Sequence, residues 1–542
     1  NDNNQNFSYP QLDEHISETY AKYSTATLQK NLYDSYIRAI RWSSNRIKEA
    51  GIIGFVSNAS FIEANAMDGL RLCLAKEFSN IYIFHLRGNA RTSGELRRKE
   101  KDNVFGQGTR TPVAVSLLVK NPHAQTHGNI YFHDIGDYLS QQDKLEKIAQ
   151  LQSIAGITHA QGWIAITPDQ YGDWINQRDD SFGEHVSLGD KKNKNATVVF
   201  RSYSQALLTS RDAWCYNASK PKLETKVKNM IEFYHQEVDR YELICKNLTK
   251  GTYPDISDFV NNDFTKISWS RALKNNVVKF SKSQFKQYSI TISLYRPFYK
   301  TWSYFDRDFN EMVYQMPSIF PNSILKNQVI CVVGRGESIG FSALISDKLP
   351  NYHMIASGQC FPLKLYEKID PSTTTGHTPQ GSLFGNEPQQ GLFDATQPEY
   401  IERDGITDEG LAHFQDYYPH DTITKEDLFY YIYGLLHSED YKTRYADNLT
   451  KELPRIPRVK QAQDFWTFSQ AGRKLATLHL DYEKVPMYPV EFEGGALALT
   501  MLADKDFYVT KMKFGKGIGE DKHDKTTVIY NDKITMKGIP LE

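Results

Sequence analysis

The sequence has 542 residues, of which 64 are Lys or Arg and 65 are Asp or Glu, so its formal net charge is −1. This length allows about two to four domains, and a hydrophobic share of 40% lets most of the chain fold. The balanced charge gives no overall attraction to nucleic acid, although a local basic groove still suffices for DNA binding. The aromatic share of 13% suits base stacking, but such residues also fill ordinary cores.

The five cysteines are scattered without a C-x-x-C pair, which indicates neither a disulfide framework nor a zinc site. We therefore expect no metal and a reducing, cytoplasmic location. No run approaches the ~18–20 apolar residues of a membrane span, and no signal peptide opens the chain. The polar start, Asn1 to Asn6, lacks an initiator Met and is typical of the middle of a loop, so we interpret the chain as a fragment.

The first 160 residues carry an alternation of helical and strand-like segments. The predicted helices are 28–49, Ala64–Phe78 and Lys144–Leu151, and the predicted strands are Ile52–Ser57, Ile81–Leu86, Val113–Val119 and Ile130–Phe132. The first strand is apolar throughout, which predicts a central place in a covered sheet. This order is typical of an open α/β sheet, whose ligands bind at the carboxyl ends of the strands. The site is therefore predicted near residues 57–61 and 88–110.

Residues 161–195 begin with a stretch that is rich in Trp, Asp, Gln and Pro and has no clear periodicity. They are predicted to be a linker between domains 1–160 and 196–542. The second domain contains a long amphipathic helix, Lys222–Leu248, short β-type runs over 265–365, and a helical stretch over 411–445. Residues 371–400 are of low complexity and are predicted to be a mobile loop. The last 50 residues are predicted to form β-hairpins. The fold class is thus α/β followed by an α+β, β-rich domain.

Two glycine-rich stretches resemble phosphate cradles but lack the helix that such cradles need. Val329 to Gly340 has the spacing G-x-G-x-x-x-G, and the segment after it is strand-like. Gly515 to Gly519 lies among charged hairpin residues. Both are predicted to be turns.

Basic and aromatic residues cluster in two places within 196–542. The first cluster contains Arg201, Arg211, Trp214 and Lys220, and the second contains Arg296 within Tyr295-Arg-Pro-Phe298-Tyr-Lys-Thr-Trp302. Such mixtures contact phosphates and stack on bases. Structural packing explains either cluster alone equally well, but together they favour nucleic-acid binding. The run Lys191, Lys192 and Lys194 is interpreted as a solvated loop.

Three stretches of the first domain resemble motifs of amino-group (N6-adenine) DNA methyltransferases of the gamma order. They are Asn31-Leu-Tyr-Asp-Ser-Tyr36-Ile, Gly54-Phe-Val-Ser-Asn58-Ala-Ser-Phe61, and the region from Asn103 to Val115. The resemblance implies a partial Rossmann-like methyltransferase sheet. It also implies that Phe105 stacks on a flipped adenine, with Asn58 and Phe61 as walls of the target-base pocket and Tyr36 close to the cofactor.

The whole chain resembles the C-terminal part of Type ISP restriction–modification enzymes, single polypeptides that use ATP. The resemblance rests on several short sequence motifs, including Arg211-Asp-Ala-Trp, Tyr295-Arg-Pro-Phe, Gly358-Gln-Cys-Phe-Pro and Tyr430-Tyr-Ile-Tyr-Gly-Leu-Leu-His. It implies double-stranded DNA as partner, upstream nuclease, helicase and methyltransferase parts, and S-adenosylmethionine, ATP and Mg as cofactors of the longer enzyme. The Asn-Pro-Pro-Tyr tetrad and the cofactor-binding glycine motif are absent from this sequence. We therefore expect no catalytic residue here and no methylation by the isolated chain.

Two other interpretations stay open at this point. A nuclease-free phage-defence methyltransferase shares the same distal half. A non-catalytic interaction module on a Rossmann-like scaffold is also compatible with the sequence, because fold does not dictate function.

Overall fold

The computed structural model describes residues 8–26, 29–92, 94–106, 108–249, 251–337, 339–369, 400–509, 511–518 and 523–541. The chain divides into two compact units, one ending at Leu480 and one beginning at Asp481. The predicted mobile loop at 371–400 lies outside the described residues except for Tyr400. Within the described residues, no helix combines the length and the apolar character needed to cross a bilayer.

The first part of the larger unit is a five-stranded sheet with helices packed on it. Its elements are α1 (Pro10–Ile16), α2 (Ser35–Arg46), β1 (Gly51–Asn58), α3 (Asp68–Glu77), β2 (Asn80–Arg87), α4 (Gly94–Glu100), β3 (Val113–Lys120), β4 (Asn129–Asp134), α5 (Gln141–Leu151), α6 (Ile154–His159) and β5 (Ile164–Ile166). The strand order is β1-β3-β2-β4-β5. β3 runs antiparallel between β1 and β2, and β4 is parallel to β2. The predicted strands are confirmed.

Two expectations for this sheet are wrong. β1 lies at an edge of the described sheet, and Ile52 and Val56 are 67% and 57% exposed, so the strand is not central and covered. Apolar sequence alone cannot show which packing partners are present on a strand's second face. The predicted helix 28–49 is instead a 3-10 turn, Lys30–Tyr33, followed by α2, because Asp34 adopts an extended backbone between them.

The remainder of the larger unit is a mixture of short strands and helices. Its elements are β6 (Val186–Ser187), β7 (Ser204–Gln205), α7 (Asp212–Cys215), β8 (Tyr216–Asn217), α8 (Lys220–Cys245), α9 (Ile256–Phe259), α10 (Arg271–Val278), β9 (Ile290–Arg296), β10 (Tyr299–Tyr304), α11 (Met316–Ile319), β11 (Val329–Val332), β12 (Ala343–Ser346), β13 (Leu349–Pro350), β14 (Gln359–Pro362), β15 (Lys364–Lys368), β16 (Tyr400–Asp404), α12 (Asp408–Gln415), α13 (Lys425–Leu436), α14 (Glu439–Arg444), α15 (Ala446–Lys451), β17 (Arg455–Ile456) and α16 (Ala462–Leu480). Two four-stranded sheets, β13-β9-β10-β8 and β12-β11-β14-β7, organise it.

The hydrophobic clusters separate these two parts of the unit. The clusters under the five-stranded sheet draw on residues up to Ile175, and the other three begin at Phe182 or later. The change falls inside the predicted linker 161–195. β5 also lies in that range and pairs with β4, so the first sheet continues beyond residue 160.

Helices α13 and α16 approach each other unusually closely at two glycines. A Cβ added to Gly472 would lie 1.9 Å from the carbonyl oxygen of Tyr430, and one added to Gly434 would lie 2.4 Å from that of Phe468. This approach lets Tyr431 stack on Phe465, with ring centroids 4.5 Å apart. Any side chain at either glycine would force the helices apart and loosen this core.

The smaller unit is built on a four-stranded sheet. Its elements are β18 (Glu491–Phe492), α17 (Ala496–Thr500), β19 (Lys513–Lys516), β20 (His523–Ile529) and β21 (Thr535–Lys537), with strand order β18-β21-β20-β19. Antiparallel pairing of β19 with β20 and of β20 with β21 confirms the predicted hairpins.

Candidate nucleic-acid interface

The loop after β1 begins with an asparagine that holds its own backbone turn. Asn58 Oδ1 accepts hydrogen bonds from the backbone N–H (2.9 Å) and the hydroxyl (2.8 Å) of Ser60, which starts the 3-10 turn Ala59–Ile62. The Asn58 side-chain oxygen therefore stabilises the loop, and the side-chain NH2 group is the part left to donate to a ligand. Phe61 is 1% exposed and packs edge-on against Trp174 at 6.3 Å. Its predicted contact with a base is not supported, because the ring is enclosed in the core.

Phe105 is 63% exposed at the tip of a firmly held turn. The buried Asn103 accepts from the Phe105 N–H at 3.0 Å and donates to the carbonyl oxygens of Gly88 and Thr111 at 3.2 and 2.9 Å. The carbonyl oxygen of Pro112, the residue after Thr111, accepts from the N–H of Ala59 at 2.9 Å. The loops that carry Asn58 and Phe105 therefore meet at residues 111–112, and the aromatic ring is presented outward.

A buried lysine fixes the segment that leads into the Phe105 turn. Lys144 is 0% exposed, and its ammonium donates to the carbonyl oxygens of Leu86, Glu100 and Asp102 at 2.9, 3.1 and 2.6 Å. Burial lowers the pKa of Lys144 to about 8. This anchor ties α5 to the end of β2 and to the segment before Phe105.

Tyr36 lies in the first turn of α2 and is half-buried against the core under the first sheet. Burial raises the pKa of its hydroxyl, and the neighbouring Asp34 carboxylate adds to this rise. The structure thus holds Tyr36 as a neutral phenol.

The start of α8 forms an open groove of about 580 Å³. It is lined by Trp214, Asn217, Pro221, Lys222, Thr225, Lys226 and Asn229, with no acidic side chain among them. Lys226 donates to the carbonyl oxygen of Ala213 at 3.0 Å, and the Lys220 ammonium lies 5.1 Å from the centre of the Trp302 ring. The N-terminal end of a helix dipole is positive, so the lysines at the start of α8 are unfavourable for the helix. The same positive charges would attract an anionic ligand.

Arg211 does not belong to that groove, which corrects the prediction that it contacts DNA. It is 2% exposed, and its guanidinium donates to the carbonyl oxygens of Phe309 (2.5 Å) and Ser268 (3.2 Å) and to the hydroxyl of Ser270 (2.6 Å). Burial lowers its pKa. Arg211 therefore joins three chain segments behind the groove.

The other predicted cations differ in how far they reach solvent. Arg201 is exposed and donates to the carbonyl oxygen of Lys194 at 2.8 Å. Arg296 is half-buried, stacks 3.9 Å from the centre of the Tyr295 ring, and donates to Asn351 Oδ1 at 3.0 Å. Arg201 is therefore open to a ligand, whereas Arg296 would have to leave an aromatic partner.

Sequence reasoning left Lys226 and Asn229 out of the predicted contacts. A usable signal was present, since Lys222 and Lys226 are one helical turn apart near a helix N-terminus, where acidic residues are the usual choice.

The C-terminal 345 residues match a known family. A family model described as the Type ISP C-terminal specificity domain matches residues 198–542, more than half of the chain. The chain belongs to the Type ISP family. No match was found among curated protein sequences.

Solved structures extend the Type ISP likeness over the first sheet. A nuclease-deletion mutant of the Type ISP restriction–modification enzyme LlaGI, in complex with a DNA substrate mimic, is 36% identical with a TM-score of 0.76, covering 99% of this chain and 37% of that one. The ATP-dependent Type ISP restriction–modification enzyme LlaBIII bound to DNA is 33% identical with a TM-score of 0.76, covering 99% and 31%. The DrdV–DNA complex is 31% identical with a TM-score of 0.75, covering 99% and 48%.

The chain thus spans less than half of the length of each of these three proteins. The Type ISP specificity domain, as matched here, contains the α8 groove, Arg201 and Arg296, whereas Asn58 and Phe105 precede it.

Proposed function

We propose that this chain recognises the DNA target of a Type ISP restriction–modification enzyme. We further propose that its first 160 residues are the distal half of an N6-adenine methyltransferase domain. The match to the specificity domain supports the first statement, as do two similar structures bound to DNA and one bound to a DNA substrate mimic. The outward ring of Phe105 supports the second, since a flipped base needs a new stacking face.

The α8 groove is the observation that carries the proposal. Two lysines, two asparagines and an indole line one open surface with no carboxylate among the lining residues. Phosphate contacts release counter-ions from lysine side chains that reach solvent, and stacking needs an aromatic face that is open to the ligand. Lys222 and Lys226 are assigned to DNA phosphates, and Trp214 is assigned to the adjoining sugar or base.

S-adenosylmethionine would be the methyl donor of the longer enzyme, and the motif resemblance assigns Tyr36 of this chain to its surroundings. The donor-binding glycine motif and the Asn-Pro-Pro-Tyr tetrad do not occur in this sequence, and Tyr36 is a half-buried neutral phenol. We therefore derive no methyl-transfer step from this chain.

Substituting both groove lysines, K222Q/K226Q, tests the proposal. The dependence of log K on log salt should become shallower by about 0.9 per lost phosphate contact, hence by about 2 in total. Affinity should fall by a similar factor for duplexes of any sequence, because phosphates carry no sequence information. Fluorescence anisotropy with a labelled duplex at several salt concentrations measures both quantities.

The matched control is K246Q/K279Q, which removes two exposed lysines from the far end of α8 and the end of α10. It should leave the salt slope unchanged. If the unaltered chain shows no salt-sensitive binding, DNA recognition is wrong and the interaction-module interpretation takes its place. If both double variants lower the slope equally, the groove is not the anchoring site.

A further inference from the structure

The hairpin of β11 and β12 presents one cation on a tightly built turn. Both strands are buried and pair antiparallel from Val329↔Ser346 to Val332↔Ala343, which confirms the predicted turn in a sheet. The turn includes Gly334, Arg335, Gly336 and Glu337. Arg335 is exposed, and its guanidinium has no hydrogen bond or ion pair with any residue in the described part of the chain.

The backbone around Arg335 is fixed from three sides. The N–H of Gly334 donates to the carbonyl oxygen of Ala356 at 3.0 Å, the N–H of Gly336 donates to that of Thr450 at 3.0 Å, and Ser357 Oγ donates to the Glu337 carboxylate. A Cβ on Gly334 would lie 2.7 Å from Ser357 Cβ, so only glycine fits there. A rigid backbone with one free guanidinium is preorganised for recognition.

The segment that clamps this turn is itself strained. Ala356 and Ser357 both adopt left-handed backbone conformations, with φ of 32° and 50°. Two consecutive residues of this kind are unfavourable without glycine, and such strain clusters at functional sites. The contacts with Gly334 and Glu337 hold the strained pair in place.

The turn is linked through Thr450 to Asn65, which lies four residues after the predicted target-base loop at 57–61. The carbonyl oxygen of Thr450, which accepts from Gly336, also accepts from Asn65 Nδ2 at 3.5 Å. Asn65 follows the 3-10 turn that begins after Asn58. Lys191 lies 4.2 Å from the centre of the Tyr203 ring, and the charge of Arg335 opposes the burial that raises the pKa of Tyr203. Lys191, Tyr203 and Arg335 therefore form a second basic-aromatic cluster that is remote in sequence from α8 and is linked to Asn65 through the Thr450 carbonyl.

We propose that Arg335 is a specificity-determining residue that reads a guanine edge next to the target base. This assignment rests on the proposed function. An arginine fork pairs with O6 and N7 of guanine in the major groove. Gly334 and Gly336 flank Arg335 and add no side chains that would hinder its approach to a base edge. The Glu337 carboxylate accepts a hydrogen bond from Ser357 and forms no ion pair with the Arg335 guanidinium among the described contacts.

The test is selection of bound duplexes from a pool with randomised base pairs, using the full 542-residue chain and its variants. The unaltered chain should select a motif. R335A should select the same motif with discrimination at one G·C pair reduced about 5- to 150-fold. R335K should lose discrimination at that pair too, because it keeps the charge but lacks the fork.

The control R271A removes an exposed arginine at the start of α10 and should leave the motif unchanged. R335A and R335K motifs identical to that of the unaltered chain would overturn the assignment. So would a loss of affinity uniform across sequences with a shallower salt slope, which marks a phosphate contact. If the unaltered chain selects no motif, sequence recognition itself fails and the assignment of Arg335 falls with it.

Discussion

Residues of the same chemical type differ widely in solvent exposure in this structure. Arg211 and Lys220 belong to one basic-aromatic cluster in the sequence. Arg211 is nonetheless enclosed with three hydrogen bonds, whereas Lys220 is exposed beside the groove. The residue type gives the charge of a side chain but does not show whether that side chain is buried or exposed. Phe61 and Phe105 differ in the same way, at 1% and 63% exposed.

Phe105 allows a test at the residue scale. F105A should weaken binding of a duplex with an unpaired adenine at the selected target position by about 5- to 150-fold, the worth of one stacked base. The free energy of unfolding should change little, because the ring is 63% exposed. Anisotropy competition measures the first quantity and urea unfolding the second.

F264A is the control, since Phe264 is 84% exposed in another part of the chain. Equal affinity of F105A and F264A for the unpaired-adenine duplex would show that Phe105 is not the stacking face.

At the scale of elements, the α13–α16 pair shows what sequence patterns miss. Helices α12, α13 and α14 confirm most of the helical stretch predicted over 411–445, but residues 416–424 between α12 and α13 are not helical. The close approach at Gly434 and Gly472 depends on two segments far apart in the chain. The same contact half-buries His437 beside His479, with ring centroids 5.6 Å apart. Tyr433 lies within hydrogen-bond distance of His479 Nδ1, at 2.5 Å.

His437 makes this helix pair sensitive to acid. Burial lowers its pKa to about 4, and its Nε2 has no hydrogen-bond partner among the described residues. The unfolded chain, with a His pKa of about 6.5, therefore binds more protons between pH 6.5 and 4, and stability falls as pH falls through this window. The loss from this group between pH 7.5 and 5 should be about 1–2 kcal/mol, after allowance for partial exposure.

H437F should remove that part of the decline, whereas H123F at an exposed site should keep it. Urea midpoints at pH 7.5 and 5.0 measure the difference. An equally steep decline in H437F would mean that His437 does not carry this sensitivity.

At the scale of the whole molecule, one buried carboxylate joins segments from three regions of the larger unit. Asp173 pairs with Arg71 at 2.6 Å, Lys451 at 2.8 Å and Arg178 at 3.2 Å. Arg71 packs under the first sheet, Asp173 and Arg178 lie in the predicted linker, and Lys451 ends α15. This cluster ties the first sheet to the part that contains the α8 groove and the Arg335 turn.

D173N should destabilise the chain by about 3–5 kcal/mol, because it leaves buried cations without a counter-charge. D239N removes an exposed carboxylate paired with Lys282 and should cost less than about 1 kcal/mol. Urea unfolding at pH 7.5 compares the two variants. Similar losses would show that the Asp173 cluster does not hold the larger unit together.

The family was predictable from the sequence because several of its motifs resemble those of Type ISP enzymes. The strands of the first sheet, the hairpins of the smaller unit and the turn after β11 were predictable from local patterns, because periodicity and glycine placement act over a few neighbouring residues. Tertiary structure decided the exposure of β1, the enclosure of Arg211 and Phe61, and the meeting of Asn65 with the Arg335 turn at Thr450. Burial and proximity depend on segments distant in the chain, and a local pattern contains no information about which of them pack together.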